Sequence, residues 1–320
     1  MPAYSQPDLT QKTILSIWNQ TYRPIEIVIV DDNSPISLAG MIDGFSEYQS
    51  SDFRIRYFRN ETNLRPYFNW QVAFGKCEGK YLIPTPHDDY FIANDHIENA
   101  IRILEENSEI YLVVTNSILE DSLQLMCSLQ SENWFMLEGI NFIKNSLWGG
   151  IHPSYTSTIL DREKLLELGY TNYFLEKKDC HYMDVEPDES FIQLILCASA
   201  GKVAVSGRVT SIRGTPPDSY SRSKFWHDKG HEGVFLQMMY FIKKNPDDRV
   251  NEIMKKIIFK YLLFNRINWK MIHFFNDRYV RNLIFLGYVH NLITKLTPKS
   301  LLRKLLYNIK SRILMHETRN

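Results

Sequence analysis

Residues 80–90 read Lys80-Tyr81-Leu82-Ile83-Pro84-Thr85-Pro86-His87-Asp88-Asp89-Tyr90. The apolar run 81–85 is typical of a short buried strand, and two adjacent carboxylates follow where that strand ends. Open α/β sheets bind their ligands at the carboxyl ends of the strands. We therefore expect Asp88 and Asp89 to hold a divalent cation, because hard cations prefer carboxylate oxygens. The alternative is that this pair only caps the next helix, a role that residues 94–95 suit better.

Strands and helices alternate on both sides of this stretch. Apolar and β-branched runs predict strands at residues 25–30, 81–85 and 111–115, and the alternation of polar and apolar residues predicts one at 54–58. Helical spacing of apolar residues predicts helices at 7–20 and 96–104. Residues 121–145 carry a weaker signal, and we expect irregular structure with one short helix there. The alternation predicts an α/β fold with a mostly parallel, doubly wound sheet flanked by helices.

Composition excludes several classes of protein. The chain has 320 residues, of which 44% are hydrophobic, as expected for a globular protein with a full core. No apolar run approaches the roughly 20 residues that span a bilayer, and the N-terminus lacks the pattern of a signal peptide. The four cysteines show no metal-binding or disulfide spacing. We expect a cytoplasmic protein.

The charges are divided unequally along the chain. Residues 251–320 contain 14 Lys or Arg and 3 Asp or Glu, whereas residues 1–250 contain 23 and 34. Residues 297–313 form a basic amphipathic pattern with one Leu/Ile stripe. Such a helix can bind the anionic inner face of a membrane, or it can pack on the catalytic body with its basic side in water. The sequence leaves both alternatives open, including peripheral membrane attachment.

Several motifs follow one another in a fixed order. They are Pro2-Ala3-Tyr4-Ser5, Ser16-Ile17-Trp18-Asn19-Gln20-Thr21-Tyr22, Glu26-Ile27-Val28-Ile29-Val30-Asp31-Asp32-Asn33-Ser34, Asn63-Leu64, and Gly79-Lys80-Tyr81 leading to Asp88-Asp89. In this order and spacing they resemble a family 2 glycosyltransferase of the GT-A fold, of the bacterial polysaccharide type. The resemblance is strong over residues 2–115 and weaker to about 220. It implies one domain at 1–220, with a donor half at 1–115 and an acceptor half at 116–220, and a helical extension at 221–320.

The resemblance implies a nucleotide diphosphate-sugar donor that lies over the carboxyl ends of the strands. The nucleobase would stack on the Tyr4 ring and donate a hydrogen bond from a base N–H to the Asp31 carboxylate. Asp32 would bond the ribose or orient its loop, and Asn63 belongs to the same donor-binding set. A plain turn at residues 31–34 is the alternative, since Asp, Asn, Ser and Pro favour turns.

The acidic metal motif of the family matches His87, Asp88 and Asp89, which implies Mg²⁺ or Mn²⁺ as the cofactor. Family members usually have a further Asp where His87 or its neighbour stands, so this chain departs from the pattern. We expect Asp89 to be the direct metal ligand, and Asp88 to contact sugar or ribose hydroxyls or to serve as a second ligand. A cation on the diphosphate would neutralise the charge that develops on the leaving group.

The resemblance also implies a general base at the start of a helix in the second half. Family members carry a Glu-Asp pair there, and this chain has the reverse order, Asp188-Glu189. We expect Glu189 to take the proton of the acceptor hydroxyl in an inverting displacement, with Asp188 as the alternative because it also suits an N-cap. Arg213 precedes Gly214 at a strand end, which fits a contact to the diphosphate or an ordinary surface arginine.

By resemblance, the acceptor is a growing glycan, in one form lipid-linked, as in polysaccharide, lipopolysaccharide or O-antigen assembly. The family also has an apolar strand before the segment that matches residues 2–5, and we expect that strand to be missing here. The rival function is therefore a truncated, non-catalytic remnant that binds nucleotide or glycan. A nucleotidyltransferase lacks support because no Gly-rich phosphate loop occurs, and the acidic body disfavours nucleic acid.

Overall fold

The computed structural model describes residues 1–148, 153–176, 187, 191–217, 219, 222 and 224–264. In this part the strands are β1 (Pro2–Ala3), β2 (Ile25–Asp31), β3 (Phe53–Arg59), β4 (Tyr81–Leu82), β5 (Tyr90–Phe91), β6 (Ile110–Leu119), β7 (Phe135–Glu138), β8 (Thr158–Asp161) and β9 (Lys202–Arg213). The α-helices are α1 (Pro7–Trp18), α2 (Ala39–Asp43), α3 (Arg65–Lys76), α4 (His96–Glu106), α5 (Gly139–Trp148), α6 (Arg162–Glu167), α7 (Phe191–Ala200), α8 (Lys224–Lys244) and α9 (Asp248–Phe264).

The chain divides into two compact units, Met1–Val250 and Asn251–Asn320. Helix α8 belongs to the first unit. The division expected from the sequence at residue 220 stays a prediction. No helix in the described ranges is long and apolar enough to cross a membrane.

The first sheet has the order β1-β2-β3, and both pairings are parallel. Strand β2 is a β-branched run whose residues Ile29 and Val30 are completely buried. Such runs suit parallel strands because helices cover both faces of the sheet. Helix α1 packs Ile14 on one side of this sheet together with Phe53, and α3 packs Ala73 on the other. The carboxyl ends of all three strands therefore meet at one edge.

The second sheet has the order β4-β8-β6-β9-β5, with β7 also paired to β9. Only β6 and β9 are parallel, and the other pairings are antiparallel. The described structure is thus α/β, as predicted, with a parallel first sheet and a mixed second sheet. Helix α4 covers the second sheet with an apolar face that includes Ile97, Ala100 and Ile101.

Most predicted elements are present, and each difference from the prediction has a physical cause. The strand expected at 81–85 ends at Leu82, because Pro84 and Pro86 lack the N–H that a ladder requires. The segment 121–145, expected to be irregular with a short helix, contains β7 and most of α5. Its strand pairs with β9, about 65 residues further along the chain, and this pairing leaves no mark on its own periodicity.

The expectation that the first strand is missing is modified by β1. Pro2 and Ala3 pair in parallel with Val30 and Asp31. The Val30 N–H donates to the Met1 carbonyl (3.0 Å), and the Asp32 N–H donates to the Ala3 carbonyl (2.8 Å). These bonds place Tyr4 directly after a strand whose end lies beside the end of β2.

Candidate active site

Asp31 ends β2 and is completely buried. Its Oδ1 accepts hydrogen bonds from the N–H (2.8 Å) and hydroxyl (2.5 Å) of Ser34. Its Oδ2 accepts from the Tyr57 hydroxyl (2.7 Å), Arg59 Nη1 (2.9 Å) and the Leu38 N–H (3.3 Å). Burial alone would raise the pKa of Asp31, but these hydrogen bonds outweigh it and hold the pKa below its usual range. Asp31 therefore organises its own turn, and both of its oxygens already have donors within the protein.

Asp32 organises the loop that follows β3. Its Oδ1 accepts from Asn60 Nδ2 (2.8 Å) and the Leu64 N–H (2.8 Å), and its Oδ2 accepts from the Arg65 N–H (2.9 Å). Burial is the main reason that the pKa of Asp32 is raised, and the neighbouring Asp31 charge acts in the same direction. Asn63 lies on the exposed part of this loop, where its Oδ1 accepts from the Arg65 N–H (3.0 Å).

The turns at this edge hold unusual backbone conformations. Ser5, Gln6, Asn33 and Arg65 have φ between 56° and 69°, the left-handed region that non-glycine residues rarely adopt. Each such residue costs about 1–3 kcal/mol, and such conformations cluster at functional sites. The four residues follow the ends of β1, β2 and β3. Tyr4, which is 44% exposed, lies directly before the first of these turns, so its ring is available for stacking.

A chain of contacts connects this edge to the acidic stretch at residues 87–89. The Ser5 N–H donates to the Ser34 hydroxyl (2.8 Å), and the neighbouring Gln6 contacts the His87 ring, with 3.2 Å between Oε1 and Nε2. The Thr13 hydroxyl on α1 lies within hydrogen-bonding distance of the carbonyl oxygens of His87 (2.9 Å) and Asp89 (2.7 Å). The turns after β1 and β2 are therefore connected by direct contacts to the acidic stretch at residues 87–89.

Asp89 is 3% exposed and makes three hydrogen bonds to distant segments. Its Oδ1 accepts from the Gly214 N–H (3.0 Å), and its Oδ2 accepts from the hydroxyls of Ser154 (3.2 Å) and Thr156 (3.1 Å). Burial, followed by the neighbouring Asp88 charge, raises the pKa of Asp89 to about 7, although the Arg213 charge opposes the change. Both oxygens are in use, which leaves Asp89 poorly suited to bind a metal ion directly.

Asp88 is only half buried, and its carboxylate makes no hydrogen bond to another residue in the described part of the chain. Its backbone touches the end of β9, because a Cβ at Gly214 would lie 2.0 Å from the Asp88 carbonyl oxygen. Only glycine fits there. The half-buried Arg213 precedes this glycine, so a cation lies beside the acidic pair.

A divalent cation fits this site through Asp88. Hard cations are often held by one or two carboxylates, with the remaining oxygens coming from substrate phosphates and water. Within the described ranges, no group of three or more His, Cys, Asp or Glu could hold a metal ion without such help. Of the two predicted ligands, Asp88 is thus the one whose carboxylate has no donor in the described part of the chain, and the assignment of the direct ligand stays a prediction.

Other predicted residues lie outside the described residues. They are Asp188 and Glu189, the candidates for the general base, together with the basic pattern at 297–313. On either side of Asp188 and Glu189 in the chain, Pro187 is buried and α7 begins at Phe191.

Sequence reasoning missed the residues that support the acidic pair, namely Gln6, Thr13, Ser154 and Thr156. The run Ser154-Tyr155-Thr156-Ser157-Thr158 is rich in hydroxyl groups. That composition could have indicated a polar, buried segment, but no local pattern tells which carboxylate it serves.

Comparisons with known proteins show the family and the fold. The model of the family described as "Glycosyl transferase family 2" matches residues 1–168. Three curated relatives named as uncharacterized glycosyltransferases are 29–32% identical over 111–116 residues, or about a third of this chain. The chain covers only 15–44% of the length of these relatives. A GalNAc(5)-diNAcBac-PP-undecaprenol beta-1,3-glucosyltransferase of Campylobacter jejuni is 28% identical over 94 residues, 29% of each protein.

Two solved structures share the fold over most of the chain. S. aureus TarS 1–349, in complex with UDP-GlcNAc, has a TM-score of 0.64 at 14% identity and is matched over 89% of this chain and 77% of TarS. The mannosyltransferase PcManGT from Pyrobaculum calidifontis, in complex with GDP-Man and Mn²⁺, has a TM-score of 0.58 at 14% identity over 98% of this chain and 79% of its own. At this identity the likeness shows the fold alone, which is GT-A.

Proposed function

The chain belongs to glycosyl transferase family 2, whose model matches more than half of it, and on that premise we propose that it transfers a sugar from a nucleotide diphosphate donor to a hydroxyl group of a glycan. The observation that carries this proposal is the continuous polar edge from Tyr4 and Asp31 to Asp88. It provides an exposed aromatic ring at one end, and an accessible carboxylate beside an arginine at the other. A nucleotide diphosphate has matching chemistry, a flat base followed by two phosphates.

The residues divide the work along this edge. Tyr4 stacks on the base, while Asp31 and Asp32 hold the two turns that surround base and ribose. Because Asp31 has no free oxygen, we assign base recognition to the shape of its turn and to Tyr4. At the other end Asp88 faces the diphosphate, and Arg213 stabilises the charge on the leaving group. When bound, Mg²⁺ or Mn²⁺ supplies Lewis-acid neutralisation of that charge.

The proposed reaction is a single inverting displacement. Glu189 takes the proton of the acceptor hydroxyl, the acceptor oxygen bonds to the anomeric carbon, and the bond from that carbon to the diphosphate breaks. Asp188 is the alternative base. A carboxylate at a helix start keeps its charge, because the helix dipole stabilises it by about 0.3–1 kcal/mol.

A growing, lipid-linked glycan is the acceptor class that we propose. The Campylobacter relative acts on an undecaprenol-linked glycan, as its name states. The excess of 14 basic over 3 acidic residues at 251–320 would attract an anionic membrane surface, where such an acceptor is anchored. Polysaccharide or O-antigen assembly is the process that this acceptor class serves.

The test starts with calorimetric titration of UDP, GDP, CDP and dTDP, each with and without Mn²⁺. We expect one nucleotide to bind, and Mn²⁺ to strengthen its binding. Sugar nucleotides of that base are then incubated with lipid-linked glycans, and the released nucleoside diphosphate is measured for wild type, Glu189→Gln and the matched Asp188→Asn.

Loss of transfer with retained nucleotide binding in Glu189→Gln alone would support the assignment of the base. Full activity in that variant would contradict it. Wild-type protein that binds a nucleotide but transfers no sugar would favour the non-catalytic alternative. If none of the four nucleotides bound, the assignment of this edge as a nucleotide-binding site would be wrong.

A further inference from the structure

Asp89 connects segments that are far apart in the chain. Its side chain accepts hydrogen bonds from Ser154 and Thr156 before β8 and from Gly214 after β9. Its backbone carbonyl lies 2.7 Å from the Thr13 hydroxyl on α1. One residue of the acidic stretch therefore holds together a helix and the ends of two strand segments.

A buried carboxylate is a poor choice if stability is the only requirement. Removing its charge from water costs several kcal/mol, and well-packed apolar residues often stabilise such positions equally well. The hydrogen bonds of Asp89 are directional, however, and each one fixes the position of the segment that donates it. This indicates a function in setting geometry.

Through Gly214, Asp89 controls the position of the Asp88 backbone. Gly214, whose N–H donates to Asp89, has its Cα directly against the Asp88 backbone, where no Cβ fits. Arg213 precedes this glycine. The bond from Gly214 to Asp89 therefore fixes both the Asp88 backbone and the neighbouring arginine.

We propose that Asp89 is a positioning residue, which holds the Asp88 carboxylate and Arg213 in register for the donor diphosphate, and that Asp89 does not bind the metal ion. This inference rests on the proposed function. It assigns the binding of the cation to Asp88, and it makes every effect of Asp89 on nucleotide binding pass through Asp88.

The test measures how much Mn²⁺ strengthens binding of the nucleoside diphosphate that the wild-type protein prefers. Four variants are compared with wild type: Asp88→Asn, Asp89→Asn, the double variant Asp88→Asn/Asp89→Asn, and Ser154→Ala/Thr156→Val. The last variant removes two donors to Asp89 and leaves both carboxylates intact. Thermal unfolding by circular dichroism accompanies each titration, so that nucleotide affinity is separated from folding.

We expect Asp88→Asn to lose the Mn²⁺-dependent gain. Asp89→Asn and Ser154→Ala/Thr156→Val should each reduce it by about 10- to 100-fold, the range typical of residues that orient a metal ligand. The double carboxylate variant should lose no more of the Mn²⁺-dependent gain than Asp88→Asn alone, because Asp89 acts on cation binding only through Asp88.

The opposite pattern would overturn the inference. If Asp89→Asn abolished the gain while Ser154→Ala/Thr156→Val behaved as wild type, Asp89 would be a direct ligand. If Asp89→Asn did not fold, an unchanged gain in the Ser154/Thr156 variant would by itself contradict the positioning role. If the wild-type protein bound no nucleoside diphosphate, the proposed function would be contradicted. That outcome is seen in the wild-type protein alone, whereas the positioning role is tested by comparing the variants with it.

Discussion

Two Asp-Asp pairs of this protein, Asp31-Asp32 at the end of β2 and Asp88-Asp89 directly before β5, look alike in sequence, but their hydrogen-bond donors come from different places. Asp31 and Asp32 bond to the turns that follow β2 and β3 and to side chains on β3. Asp89 bonds to residues 65 to 125 positions away, and Asp88 has no donor in the described part of the chain. The difference teaches that a carboxylate pair indicates a metal site only where one member remains unsatisfied.

The largest expected effect contrasts Asp31 with Asp88 in stability. Asp31→Ala leaves the buried donors of Ser34 and Leu38 without an acceptor and removes the ion-pair partner of Arg59, so it should lower the free energy of unfolding by about 3–5 kcal/mol. The matched Asp88→Ala should change it by less than about 0.5 kcal/mol. Urea unfolding measures both. Equal losses would erase the distinction between the pairs.

The second prediction concerns the effect of Asp88 on activity. Asp88→Asn should lower the rate of sugar transfer by about 100- to 1,000-fold, because the leaving diphosphate loses its charge stabilisation. Its melting temperature should stay that of wild type. Asp43→Asn, at the exposed last residue of α2, is the control. Transfer at the wild-type rate in Asp88→Asn would remove Asp88 from the site.

A pH prediction sharpens the comparison by separating His96 from the carboxylates. Burial, helped by the nearby Arg208 charge, lowers the pKa of His96 to about 3, and its Nε2 has no partner within the described ranges. Between pH 6.5 and 3, His96 therefore binds a proton in the unfolded state but not in the folded state. Stability should fall on acidification by up to about 1.4 kcal/mol per pH unit from this group.

His96→Leu should remove this contribution, so that the variant loses less stability on acidification than wild type, which urea unfolding at pH 7, 6 and 5 can show. What remains in the variant between pH 7 and 5 reports groups such as Asp89, whose raised pKa makes its contribution to stability increase on acidification. Asp31 does not contribute to the slope in this range, because a carboxylate with a lowered pKa loses its contribution only below its usual value of 3.8. Identical slopes in wild type and variant would mean that His96 is protonated in the folded protein.

The smallest effect is expected at Asn63, which lies in the loop that Asp32 holds. Asn63→Ala should change nucleotide affinity by less than about threefold, because the side chain is exposed and already accepts from Arg65. Calorimetric titration measures this. A loss above tenfold would place Asn63 in contact with the donor, as its motif suggests.

Particular residues show how far prediction from sequence reached. Strand β2 and helix α4 were predictable, because β-branched runs and the spacing of Ile97, Ala100 and Ile101 reflect local burial. The turn after Val30 was equally readable from its Asp, Asn, Ser and Pro. Strand β7 was not, since its exposed Phe135 and Met136 gain their place only by pairing with β9.

By itself, the sequence determined the α/β alternation, the family resemblance and the stretch that carries the acidic pair. Only the tertiary structure decided which aspartate of that pair is accessible, because the Ser154, Thr156 and Gly214 donors that satisfy Asp89 are brought to it by folding. The physical reason is range. Strand and helix patterns depend on neighbours a few residues away, whereas the satisfaction of a buried carboxylate depends on donors from anywhere in the chain.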